Sequence, residues 1–233
     1  TRRRTRPQGS QRFPPREGAL GGAEHPLDVV AAADEGIDVL AGRVDVERGA
    51  RRGGQVEALV APTDGPIGDS ALIVDDGETR LLNMNDSRPP DPDHLLALGP
   101  IDILFLQFSG AIWYPMVYDL PPRAKQSLAH KKRIAQLARA YRYIELMDPR
   151  VTIPSAGPPC FLDDDLFEFN DLHDDPDNIF PTQPVFLDHI AQQGRFDARL
   201  MIPGSVGTLT TSDFTVTHPV PDAEVAAIFS DRE

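Results

Sequence analysis

Ile101-Asp-Ile-Leu-Phe-Leu106 is a nearly continuous apolar run of strand length, and it is followed at once by Gln107-Phe-Ser-Gly110. A run of this kind suits a β-strand buried on both faces, as in the interior of a parallel sheet covered by other layers. Upstream, Ala71-Leu-Ile-Val74 and Arg80-Leu-Leu-Asn-Met84 flank Asp75-Asp-Gly-Glu78, which reads as strand, tight turn and strand. Downstream, Pro121-Pro122 opens a long helix in which Leu128, Ile134, Leu137, Tyr141, Ile144 and Met147 recur at helical spacing. Lys125, Lys131, Lys132, Arg133, Arg139 and Arg142 occupy mainly its other faces, so the simplest reading is an amphipathic helix covering a sheet. Val151-Thr-Ile-Pro154 is a short strand and Pro184 to Gln193 a second helix. Arg199 to Ile202 and Phe214 to Thr217 are candidate later strands. Strands alternating with helices predict a layered α/β structure.

The chain changes character near residue 60. Before that point Phe13 is the single aromatic residue, and the segment contains arginine but no lysine among much Gly, Ala, Glu and Asp. Such a stretch has little apolar surface to offset the entropy of ordering. Residues 1–60 are therefore expected to be low in complexity and poorly ordered or non-native, with residues 1–24 disordered and Leu27 to Leu40 a weak helix. A shifted reading frame is a second explanation for the segment. Residues 61–215 form the structured body and 216–233 a tail. The chain starts at Thr1 rather than methionine, which is expected of a fragment or a processed product.

Composition narrows the function. With 36 acids against 23 lysines and arginines the net charge is −13, which repels phosphate backbones and argues against nucleic-acid binding. No apolar run reaches the roughly 18 residues that span a bilayer, and the arginine-rich start precedes no apolar core, so neither membrane nor signal peptide is expected. One cysteine, Cys160, permits no internal disulfide and fits a cytoplasmic protein.

Four segments in order are similar to one family: Gly68-Asp-Ser-Ala-Leu-Ile-Val74, Leu82-Asn-Met-Asn-Asp-Ser87, Leu106-Gln-Phe-Ser-Gly-Ala-Ile-Trp-Tyr-Pro115 and Ile153-Pro-Ser-Ala-Gly-Pro-Pro-Cys-Phe161. Together they resemble the metallo-β-lactamase-fold portion of CMP-N-acetylneuraminate hydroxylase-like (UlaG-like) proteins, over about residues 61–215. The resemblance implies an αββα sandwich, here incomplete, in which metal ligands sit at the ends of inner strands. It places Asp86 as a metal-binding carboxylate, against the alternative that Asp86 merely caps its turn. It also implies zinc or iron in the full-length family and a small polar or phosphorylated substrate. The family's HxHxDH motif is missing, and His25 is the sole histidine before Asp86. One carboxylate holds no catalytic cation, so the chain alone is expected to bind no metal and to be inactive. A Rieske iron–sulfur centre needs two cysteines and two histidines, which a single cysteine cannot supply.

Gly110, Trp113, Tyr114 and Ser155 are candidates for a substrate cleft, since aromatic rings suit sugar faces and glycine allows close approach. Core packing explains Trp113 and Tyr114 equally well. The run Asp163, Asp164, Asp165, Glu168, Asp171, Asp174, Asp175 and Asp177 lacks calcium-loop spacing. It reads as a solvated loop anchored by Phe161, Leu162, Leu166, Phe167 and Phe169. Cys160 beside Pro159 and Phe161 reads as buried and inert, although His173 could serve it as a base. His94, His130, His189 and His218 show no ligand spacing. The leading expectation is thus a metal-dependent hydrolase- or oxygenase-like protein, incomplete and prone to self-association because half a sandwich leaves apolar surface exposed. The rival is a non-catalytic interaction or scaffold protein that uses the acidic loop or the aromatic patch.

Overall fold

The computed structural model describes residues 43–46, 57–62, 70–110, 112–157, 160–170 and 175–230. The expected disorder of residues 1–24 and the helix at Leu27 to Leu40 lie outside these residues.

Eight strands form two sheets. In the larger sheet β2 (Glu57–Pro62), β3 (Ser70–Asp75) and β4 (Arg80–Asn83) run antiparallel in sequence, and β5 (Ile103–Gln107) and β6 (Val151–Ser155) continue parallel to β4. The smaller sheet has the order β1 (Arg43–Val46), β7 (Val206–Leu209), β8 (Phe214–Thr217). Four α-helices, α1 (Asp93–Leu96), α2 (Pro122–Met147), α3 (Gln183–Gln192) and α4 (Asp222–Ser230), and a short 3₁₀ helix at Phe167–Phe169 complete the described elements.

The β3–β4 hairpin forms where the sequence places it. Asp75 Oδ1 accepts from Gly77 N at 2.7 Å, and Asp76 Oδ1 accepts from Thr79 N at 2.7 Å. Gly77 takes the left-handed φ of 86° that the turn needs.

Period-two alternation along the strands sorts their side chains into two cores. Ala71, Ile73, Leu82, Leu104 and Leu106 face α2 and α3, meeting Leu137, Ala140, Ile144, Phe186 and Ile190. Val74, Leu81, Ile103, Val151 and Ile153 face the second sheet, meeting Leu209 and Phe214, with Met201 beside them. Each fully buried side chain of this kind contributes roughly 1.5–3 kcal/mol. The layers are helix, sheet, sheet, so the α/β class read from the sequence is the one observed.

Several details differ from expectation. Strand β1 and the first half of β2 fall before residue 60, and β8 and α4 reach past residue 215; short strands are held by backbone pairing with neighbours, which composition does not register. Arg199 to Ile202 is no strand, and the pairing near it is a single bridge from Thr152 to Ala198. On α2 the buried stripe is Ala129, Arg133, Gln136, Leu137, Ala140, Tyr143, Ile144 and Met147, while Ile134 is 54% exposed. Arg133 tolerates burial because its guanidinium donates to Asn178 O at 3.1 Å. Leu162 is exposed rather than an anchor, and Cys160 is exposed rather than buried.

Candidate functional site

Strands β4, β5 and β6 are parallel neighbours, so their carboxyl ends open on one edge of the sheet. In α/β sheets this edge is where loops gather and ligands bind. Asn85 lies just past β4, and its carbonyl accepts from Gln107 N at 3.0 Å. Gln107 pairs in register with Ser155 at the end of β6. By alternation Gln107 and Ser155 lie on the inter-sheet face, one row beyond Phe105 and Ile153. The apolar core thus ends in a polar row. Gln107 is 7% and Ser155 6% exposed, and among the described residues neither Gln107 Oε1 nor Ser155 Oγ has a hydrogen-bond partner. A buried polar atom in that state costs about 1–3 kcal/mol, and in native proteins it calls for an explanation, of which a bound water or ion and a functional role are two.

Two residues flanking this row are in left-handed backbone conformation without being glycine: Asn85 at φ 47° and Ala156 at φ 45°. Asn tolerates this region, whereas Ala is strained there by the order of 1–2 kcal/mol.

Asp86 sits in the turn that closes as Ser87 N donates to Met84 O at 2.8 Å. Asn83 supplies the side-chain cap, its Oδ1 accepting from Asn85 N at 2.9 Å. Among the described residues Asp86 makes no hydrogen bond or ion pair, so its carboxylate is not the cap of this turn. Gly110 is buried on the helix side. A Cβ there would strike the Gln136 amide, so its glycine allows the loop to close on α2. With that amide oriented by its partners, Gln136 accepts from Gly110 N at 2.9 Å and donates to Ile179 O at 3.3 Å. Trp113 packs against Phe161, Phe169 and Phe180 with ring centroids 5.0, 5.3 and 5.2 Å apart. Tyr114 is exposed and meets Tyr118 edge-on at 5.1 Å.

The structure therefore brings the Asp86 turn and Ser155 to the ends of strands on either side of β5. Gly110 serves loop–helix packing, and Trp113 belongs to an aromatic cluster. Gln107 was missed by the sequence reading; the available signal was a polar side chain in register with the apolar Ile103 and Phe105. Among the described residues no three of His, Cys, Asp and Glu could hold a metal ion.

Lys132 donates to the carbonyls of Ile112 and Tyr114, the latter at 2.7 Å. Burial, reinforced by the charge of Arg88, lowers its pKa to about 8. Burial and Arg88 likewise lower the pKa of Arg139. A separate cavity of about 540 Å³ lies near the start of β6, lined in part by Arg150, Arg195, Asp197 and Phe214. Two of its arginines form ion pairs within the fold, Arg195 with Asp148 and Asp197 and Arg150 with Asp102, and the third, Arg199, donates to the carbonyls of Phe196 and Ala198. That cavity is held by structural ion pairs and is remote from the polar row.

The fold and this edge define a mixed α/β protein with a buried polar row at the ends of its parallel strands. No protein-family model matches the sequence. Two Mycobacterium tuberculosis proteins, from strains CDC 1551 and H37Rv, are each 53% identical to the chain over 180 residues. The match covers 74% of this chain and 34% of each relative. A Mycolicibacterium smegmatis protein is 53% identical over 169 residues, 72% of this chain and 33% of its own length. All three are named provisionally as Rieske 2Fe-2S iron–sulfur proteins. This chain thus spans about a third of the curated relatives it matches. Among solved structures, CmlA from Streptomyces venezuelae, a diiron β-hydroxylase, aligns at 16% identity and a TM-score of 0.38, over 71% of this chain and 32% of CmlA. A provisionally assigned zinc-dependent hydrolase of the metallo-β-lactamase superfamily from Thermotoga maritima aligns at 15% identity and a TM-score of 0.35, over 64% of this chain and 58% of that one. Likenesses this loose assign neither ligands nor chemistry. No helix among the described residues is long and apolar enough to cross a membrane.

Proposed function

We propose that this chain supplies the strand-end crevice of a metal-dependent hydrolase- or oxygenase-like protein of metallo-β-lactamase type, which acts on a small polar or phosphorylated substrate. The observation that carries this reading is the polar row of Gln107 and Ser155, buried in register at the ends of β5 and β6 with orphaned oxygens. Asp86, one strand away and unbonded among the described residues, is the hard carboxylate such a site would offer to zinc or iron. The described residues do not fit a metal by themselves, because no second and third ligand accompany Asp86. In this reading the chain is inactive alone and the remaining ligands belong to a longer protein. The iron–sulfur name of the relatives fits that division: a Rieske cluster needs two cysteines and two histidines, and Cys160 is the only cysteine here. Any such cluster would lie in the part of those relatives outside the match.

A binding role without catalysis is the second reading, favoured by Ile112, Val117 and Tyr118, which are 59%, 68% and 53% exposed in one loop. Self-association would use the same surface.

Stability separates a functional polar row from a structural one. Ser155→Ala and Gln107→Met remove orphaned atoms, so each variant is expected to be more stable than the parent by about 1 kcal/mol in urea unfolding. A loss of similar size in both would mean that these side chains hold the fold together and would remove the observation on which the reading rests.

A further inference from the structure

Lys132, Gln136, Arg139 and Tyr143 follow one another at intervals of four, three and four residues, which sets them on one face of α2. That face meets the loops leaving β4 and β5. Lys132 donates to the Ile112 and Tyr114 carbonyls, Gln136 lies against Gly110, and the Tyr143 hydroxyl donates to Pro89 O at 2.7 Å. Arg139 lies between Gln136 and Tyr143 in this stripe. Its Nε and Nη2, the two nitrogens of one guanidinium edge, are buried without a partner among the described residues. Arg88 precedes Pro89 in the facing loop, and its charge is felt at Lys132, Arg139 and Tyr143 alike.

Arg88, Lys132 and Arg139 lie where this face of α2 meets the loops after β4 and β5, and none makes an ion pair with a described residue. Acids are not scarce, since the chain carries a net charge of −13. A guanidinium edge withdrawn from water without a partner is costly, and like charges nearby add to that cost. We propose that Arg88, Lys132 and Arg139 form an anion-binding site beside the strand-end crevice, built for the phosphate group of a small-molecule ligand. The unpartnered edge of Arg139, shielded from solvent in this structure, carries two parallel donors that match two oxygens of one group. Lys132 has three donors and gives two to carbonyls, so one remains. Three positive charges are balanced better by a phosphate dianion than by a single carboxylate.

This inference stands apart from the metal reading, and its test is run in chelator. The probe is inorganic phosphate, titrated calorimetrically into the chain at constant ionic strength. Saturable binding at one site is expected, weakened about tenfold or more by Arg139→Gln and by Arg88→Gln, and unchanged by Arg123→Gln on the exposed first turn of α2. Acetate is expected to bind about tenfold more weakly than phosphate. Arg139→Gln removes a buried charge and is expected to raise the melting temperature without phosphate; Arg88→Gln, in a loop, gives an independent reading if it does not. Absence of saturable phosphate binding overturns the proposal, as do equal losses in all three variants. Equal affinity for acetate overturns the choice of phosphate.

Discussion

At the scale of single residues, the turn after β4 separates two roles that the sequence leaves open. Asn83 and Asp86 are both turn-forming types, and only coordinates show that Asn83 accepts the Asn85 amide hydrogen. Asn83→Ala is therefore expected to cost about 1 kcal/mol, while Asp86→Ala should stay within about 0.5 kcal/mol of the parent. Urea unfolding of the two variants checks this; a larger loss for Asp86→Ala would make it a structural cap. Lys132 gives a pH signature. Its pKa is lowered to about 8 in the fold, from 10.5 when unfolded. Between those values the unfolded chain binds more protons than the folded one, so this group makes stability rise with pH across about 8 to 10.5. Below that window both states are protonated and the full penalty of the buried charge applies. Lys132→Met is expected to flatten this part of the stability–pH profile, and an unchanged slope would place the ammonium in water. Asp86 was legible in the sequence as a strand-end carboxylate. Gln107 was not, because period-two parity identifies a face only once the neighbouring strands are in register.

At the scale of elements, α2 carries the lesson about legibility. Its start at Pro122 and its length follow from proline placement and apolar recurrence, and both were readable. Its burial was readable only in part. Apolar counting put Ile134 inside and the basic residues outside, yet Arg133 and Gln136 are buried. Their partners, the carbonyls of Asn178 and Ile179, come from residues more than 40 positions away, and no local pattern encodes them. Gly110 shows the same dependence. It suggested a cleft, but its lack of a side chain lets the loop after β5 lie on the Gln136 amide. Gly110→Ala is expected to destabilise the chain by about 1–3 kcal/mol, as overpacking does at buried contacts. Gln136→Ala in the same background should recover part of that loss, because it removes the clashing amide. Additive losses in this double-mutant cycle would contradict the contact.

At the scale of the whole molecule, the layered α/β class followed from Ile101 to Leu106 and the alternation around it, because burial on two faces demands two covering layers. The second sheet was harder to foresee: β1 and β7 are four residues each, and their parallel pairing joins segments far apart in sequence. Matching only about a third of its curated relatives, the chain presents one carboxylate and a cationic face but no described ligand set. The most direct test is calorimetric titration with zinc and iron(II) of two proteins: this chain, and the Mycolicibacterium smegmatis relative with its matched segment replaced by this chain. Weak binding to the chain alone is expected, together with tight binding to the fusion that Asp86→Asn weakens about tenfold or more. Tight binding to the chain alone, or equal affinities of the fusion with and without Asp86→Asn, would contradict the account.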